Sequence, residues 1–79
     1  MDEMLRDKTD KIMSYKSISN SKKIDRLLEL NAIQYQNMGI DSTKNEINAA
    51  EMTSKYIYRA IKKLDESLGR LLLRDANTG

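Results

Sequence analysis

The chain has no proline, cysteine, histidine, tryptophan or phenylalanine, and it has only three glycines among 79 residues. Without cysteine or histidine it has no disulfide framework, no zinc finger, no thiol nucleophile and no imidazole base. Without proline, and with so few glycines, little in the chain interrupts a helix. The sequence therefore predicts an all-α protein with no metal site and no cofactor.

Long apolar runs are also missing. The longest, Leu71–Leu73, has three residues, whereas a membrane span needs about 20. The sequence contains neither a glycine-rich phosphate loop nor a nucleophile elbow. These absences predict a non-enzymatic protein with no membrane span and no small-molecule substrate. We expect it in the cytoplasm, or associated with a virion or complex if it is phage-encoded.

The size and charge of the chain point to a protein partner. Lys and Arg number 14 and Asp and Glu number 12, and the net charge of +2 is too small to require nucleic acid. A chain of this length buries only about 60% of the surface that its unfolded form exposes, so a lone monomer is marginally stable. We therefore predict an interaction or assembly subunit, such as a phage or bacterial accessory or structural protein. Its partner would be a second copy or another helical protein.

Two polar segments divide the chain into three predicted helices within one domain, residues 1–79. The weaker break, Ser17–Ser21, is rich in side chains that compete with the helical backbone. The predicted helices span residues 2–16, 21–38 and 43–68, with residue 74 as the alternative end of the third.

The stronger break contains the predicted turn at residues 39–42. Gly39 suits the left-handed residue that follows a helix, with Ile40 as its usual apolar contact. Thr43 and Glu46 have the spacing of a capping box, which predicts that the third helix starts beside Thr43.

The third helix carries a seven-residue apolar repeat. Its positions alternate by three and four, and Ser54 is the one polar member. The apolar members form the predicted interaction seam: Ile47, Ala50, Ile57, Ile61, Leu64, Leu68 and Leu71. The pattern predicts a helical hairpin or small bundle with a long, coiled-coil-like C-terminal helix. Its Leu-rich end, residues 64–73, would dock against another helix.

A basic face lies on the same helix, outside the seam. It consists of Lys55, Arg59, Lys62 and Lys63. Such a stripe can meet successive phosphates of a nucleic-acid backbone, so a small nucleic-acid-binding regulator is the alternative function. A solvated face that keeps the helix soluble is the simpler interpretation.

The seam register, carried backwards along the chain, reaches three further positions: Ile33, Gln36 and Ile40. Apolar layers around a central glutamine resemble the helical motif of SNARE proteins, with Gln36 in the polar layer. The resemblance covers residues 33–71 and fails upstream, where Arg26 and Glu29 occupy positions that are apolar in that motif. It implies a coiled-coil helix that bundles with other helices.

Overall fold

Four α-helices form the fold of residues 3–39 and 41–78, the part of the chain that the computed structural model describes. They are α1 (Glu3–Ser14), α2 (Asn20–Gln36), α3 (Lys44–Leu64) and α4 (Glu66–Thr78). No strand occurs among these residues, so the all-α prediction is confirmed. The first two helices lie close to their predicted bounds, but the predicted third helix is divided into two.

α3 lies at the centre of the fold. It contacts α1, α2 and α4, and α1 also contacts α2. Asn31 of α2 donates a hydrogen bond to Tyr58 of α3, whereas Gln34, later in α2, reaches Ala50, earlier in α3. α2 and α3 are therefore antiparallel and form a helical hairpin.

The core of this bundle is small. Leu27, Ile57 and Ile61 are completely buried. The other buried hydrophobic side chains are Leu5, Leu30, Ala50 and Ala60. Full burial of a large aliphatic side chain contributes about 1.5–3 kcal/mol, so the three fully buried residues together contribute roughly 5–9 kcal/mol before entropic costs. A core of this size leaves a narrow margin of stability.

The turn between α2 and α3 spans residues 37–43, wider than predicted. α2 ends after Gln36, and the Asn37 N–H still bonds the Ile33 carbonyl at 3.1 Å. α3 begins after Thr43, whose hydroxyl accepts the Glu46 N–H at 3.1 Å. The predicted cap at Thr43 is confirmed.

The left-handed conformation predicted for Gly39 is wrong, because Gly39 does not have a positive φ. Its carbonyl instead accepts the Ser42 N–H at 3.2 Å and the Ser42 hydroxyl at 2.7 Å. The contact predicted for Ile40 lies outside the described residues. Serine hydrogen bonding therefore closes this turn without a left-handed glycine.

The predicted long third helix is interrupted at Asp65, which is extended at φ −146° and ψ 100°. The Asp65 carboxylate accepts the Leu68 N–H at 3.2 Å and so caps the start of α4. The fold-back also brings Leu68 and Leu72 against the core, where a straight helix would leave them in solvent. Local capping and burial together favour the break over the continuous helix to residue 68 or 74.

Gly69 allows α4 to lie close to α3. A Cβ atom at this position would lie 2.3 Å from the Lys62 Cα and 2.6 Å from the Lys62 backbone nitrogen. No real side chain tolerates such distances, so the two helices approach each other here with only hydrogen between them. Glycine at position 69 is a packing requirement inside α4, and it does not end the helix.

Candidate interaction surfaces

Most residues of the predicted interaction seam are buried or partly buried in the core of the chain itself. Ala50, Ile57 and Ile61 are buried, while Leu64 and Leu68 are partly buried against the same core. Two members remain open to solvent: Ile47 is 41% exposed and Leu71 is 56% exposed. In this fold most of the seam therefore joins α3 to its own neighbours, and of the Leu-rich end Leu64, Leu68 and Leu72 pack on the core while Leu71 stays exposed.

Ser54, the polar member of the seam, lies at the centre of a hydrogen-bonded cluster between α2 and α3. Its hydroxyl donates to Asn31 Oδ1 at 2.7 Å and accepts from Gln34 Nε2 at 2.9 Å. The Tyr35 hydroxyl lies 2.9 Å from the same oxygen. Neither an amide nor a neutral phenol is basic enough to deprotonate serine near neutral pH. We therefore interpret the cluster as structural, because its hydrogen bonds join α2 to α3 and fix how the two helices pack.

Tyr58 is the outer member of this cluster. Its hydroxyl accepts a hydrogen bond from Asn31 Nδ2 at 2.9 Å. Burial raises the pKa of the Tyr58 phenol, and the nearby Tyr35 and Asp75 raise it further, while the bond from Asn31 opposes them. The neutral phenol is thus the form that the fold favours. The polar cluster was not predicted. Its sequence signals were Ser54 in the apolar seam of the third helix and Asn31 on the apolar face of the second.

The basic face is open to solvent. Arg59, Lys62 and Lys63 are exposed and Lys55 is half-buried. The one ion pair recorded among the described residues, Arg70 with Glu66 at 2.7 Å, lies outside this face. Glu66 nevertheless lines the same shallow cleft as three of these cations, so one carboxylate reduces their local charge.

A second cleft, between α1 and α3, borders the basic face. Lys23 donates to the Met13 carbonyl at 3.2 Å, and Met13 lines this cleft together with Arg59 and Lys63. Asp10, the acid in that cleft, accepts a hydrogen bond from the Tyr56 hydroxyl. The end of the bundle formed by the start of α2 and the end of α3 is therefore predominantly basic.

An apolar groove, which the sequence did not predict, lies between α1, the end of α2 and the start of α3. Its volume is about 380 Å³. The apolar residues of this groove are Met4, Leu5, Ile33, Met38, Ala49 and Ala50. Met4 is 63% exposed and Ile33 is 43% exposed. Lys8 and Ile33 also line a second groove of about 430 Å³ between α1 and α2, so the two grooves adjoin.

No protein-family model, curated protein or solved structure matches this chain. The SNARE resemblance requires a continuous helix, but the chain turns after Gln36, which is exposed. No helix in the described part of the chain is long and apolar enough to cross a membrane. Within the same residues, no group of three or more acidic side chains is placed to hold a metal ion.

Proposed function

We propose that this chain is a non-enzymatic helical assembly subunit that associates with another helical chain, first of all a second copy of itself. Its accessible surface is 5723 Å². A compact monomer of 9.1 kDa is expected to expose about 4900 Å². The excess of roughly 800 Å² is similar to the area that one partner buries in a standard protein interface. The exposed apolar side chains of the groove, among them Met4 and Ile33, are the observation that carries the proposal.

The apolar groove is the surface that we propose for docking. Large hydrophobic side chains that stay exposed beside a concavity favour the apolar face of a partner helix. Methionines at Met4 and Met38 suit such a surface because their side chains are unbranched and adapt to different partners. Lys8 and Glu46 also line the groove and can pair with opposite charges on an antiparallel helix.

Sedimentation velocity between about 1 and 100 µM tests this proposal on three proteins. The unaltered chain should form a reversible dimer or larger assembly. Ile33→Glu should weaken association at least tenfold, because the substitution places a carboxylate where both grooves meet. Gln36→Glu, the matched control, adds the same charge to an exposed position on α2 and should associate normally. A monomer throughout, or equal association of both variants, would contradict the proposal.

Nucleic-acid binding is the second candidate, and the solvent-exposed basic face favours it. Three or four phosphate contacts predict that the logarithm of affinity falls with the logarithm of salt at a slope of about −3. Arg59→Glu should weaken binding to a duplex in a gel-shift titration. Lys44→Glu, an equal charge change at an exposed position outside the face, should have little effect. Absence of binding at low salt, or equal loss in both variants, would exclude this candidate.

A further inference from the structure

The connection between α3 and α4 consists of one residue. Asp65 is extended, yet its N–H bonds the Ile61 carbonyl at 2.8 Å and its carbonyl accepts the Gly69 N–H at 3.0 Å. Both bonds have the i to i−4 pairing of an α-helix. The hydrogen bonding on both sides of Asp65 is thus already helical, and a change of φ and ψ at this single residue would restore a straight helix.

The amino-acid sequence supports the straight form. The seam positions Ile61, Leu64 and Leu68 keep their three- and four-residue spacing across Asp65. Because residues 66–68 form the first turn of α4, their N–H groups have no preceding turn of that helix to bond. A continuous helix would pair these three N–H groups with the carbonyls of residues 62–64, in exchange for the single capping bond from Leu68 to Asp65.

A lone chain cannot straighten without loss, because Leu68 and Leu72 would leave the core. Leu68 and Leu72 of a second copy can fill the places that these two side chains leave in the core. The contacts between α3 and α4 are nearly symmetric about the hinge: Gly69 lies against Lys62, and Leu72 lines a cleft with Tyr58. Two straight helices placed antiparallel about a two-fold axis at residues 65–66 would make the same pairs between chains.

We propose that two copies of this chain exchange α4, so that each α4 packs on the α3 of its partner and Asp65 becomes helical. Short connections favour such exchange when the same contacts form between chains as within one. The two-fold axis limits the exchange itself to two chains. This inference rests on the proposed self-association, but it uses the hinge and the α3–α4 contact, where the proposed function uses the apolar groove.

Hinge variants test the exchange through helix propensity. Asp65→Ala and Asp65→Gly both remove the capping carboxylate, but alanine favours the helix over glycine by about fivefold. Because a dimer contains two straightened hinges, its association constant should be on the order of 25-fold higher for Asp65→Ala. Asn48→Ala and Asn48→Gly form the control pair, because exposed residue 48 is helical in either form. Sedimentation equilibrium measures all four, and equal association constants for the two hinge variants would overturn the exchange.

A distance measurement distinguishes exchange from simple docking. Spin labels on Met52→Cys and Arg74→Cys are specific because the chain has no natural cysteine. With labelled chains diluted in excess unlabelled protein, only distances within one chain are measured. A straight α3–α4 helix separates the two positions by about 33 Å, whereas the folded-back form places them about one helix spacing apart, roughly 10 Å plus the label arms.

The long distance in the dimer fraction would support the exchange. A dimer with only the short distance would overturn it and leave the proposed function standing, especially if Ile33→Glu dissociates that dimer. A chain that stays monomeric at all concentrations, with only the short distance, would contradict both.

Discussion

Replacement of Gly69 by alanine sets helix propensity against packing. Within an isolated helix the change is favourable by about 1 kcal/mol. Here the new Cβ would meet Lys62 Cα at 2.3 Å and Lys62 Cβ at 2.4 Å, although non-bonded carbons rest at about 3.5–4.0 Å. The obstructing atoms belong largely to the α3 backbone and cannot rotate away. α4 must therefore move outwards by about 1 Å to reach ordinary contact distance.

The cost of that movement follows from the side chains that α4 carries. A radial gap of 0.5–1 Å loses about a quarter to a half of each contact, and Leu68 and Leu72 are the α4 residues packed on the core. Overpacking costs typically 1–3 kcal/mol. With the propensity gain subtracted, we expect Gly69→Ala to lower the free energy of unfolding by about 1 kcal/mol and the melting temperature by about 6 °C.

Urea denaturation followed by circular dichroism measures this loss, with Ser67→Ala as the control. Ser67 is exposed on the same helix, so its replacement should change the unfolding free energy by no more than about 0.5 kcal/mol. A Gly69→Ala protein as stable as the unaltered chain, or more stable, would refute the close approach of α4 to α3.

Three further predictions concern stability. Ser54→Ala should cost about 1–3 kcal/mol in urea denaturation because its amide and phenol partners lose their shared hydroxyl; a cost no larger than that of Ser67→Ala would contradict the cluster. Thr43→Ala should cost about 1 kcal/mol through loss of the α3 cap, and unchanged stability would contradict that cap. Because the pKa of Tyr58 is raised on folding, its stabilising contribution is complete below pH 10 and is lost as pH rises through the raised pKa. Urea midpoints from pH 8 to 11.5 should therefore fall more steeply for the unaltered chain than for Tyr58→Phe, and parallel profiles would count against this assignment.

Local signals in the sequence were sufficient where the determining contacts are local. The cap at Thr43 depends on a residue three positions away. The Ser17–Ser21 break contains Ser19, the residue that caps the start of α2. The helix boundaries on either side of these residues could therefore be predicted closely.

The break at Asp65 could not be predicted in this way. A seven-residue apolar repeat indicates that one face of a helix is buried. It does not indicate whether the helix that covers this face belongs to another chain or to the same one. Leu68 and Leu72 satisfy the pattern by folding back, and Gly69 makes the fold-back possible. Similarly, the apolar groove depends on Met4 and Ile33 meeting from separate helices, which no single stretch of sequence reveals.

The hydrogen-bonded cluster around Ser54 determines how α2 and α3 are aligned along their length. Aliphatic side chains alone allow two helices to slide by one turn at modest cost, because one leucine or isoleucine can replace another. Hydrogen-bonding groups are less permissive: a slide of one turn, about 5.4 Å, would carry Asn31 and Gln34 away from Ser54 and leave their amides beside apolar side chains. The cluster therefore selects one alignment among several that the hydrophobic pattern would accept. A core this small can consequently specify a single structure even though it supplies little surplus stability.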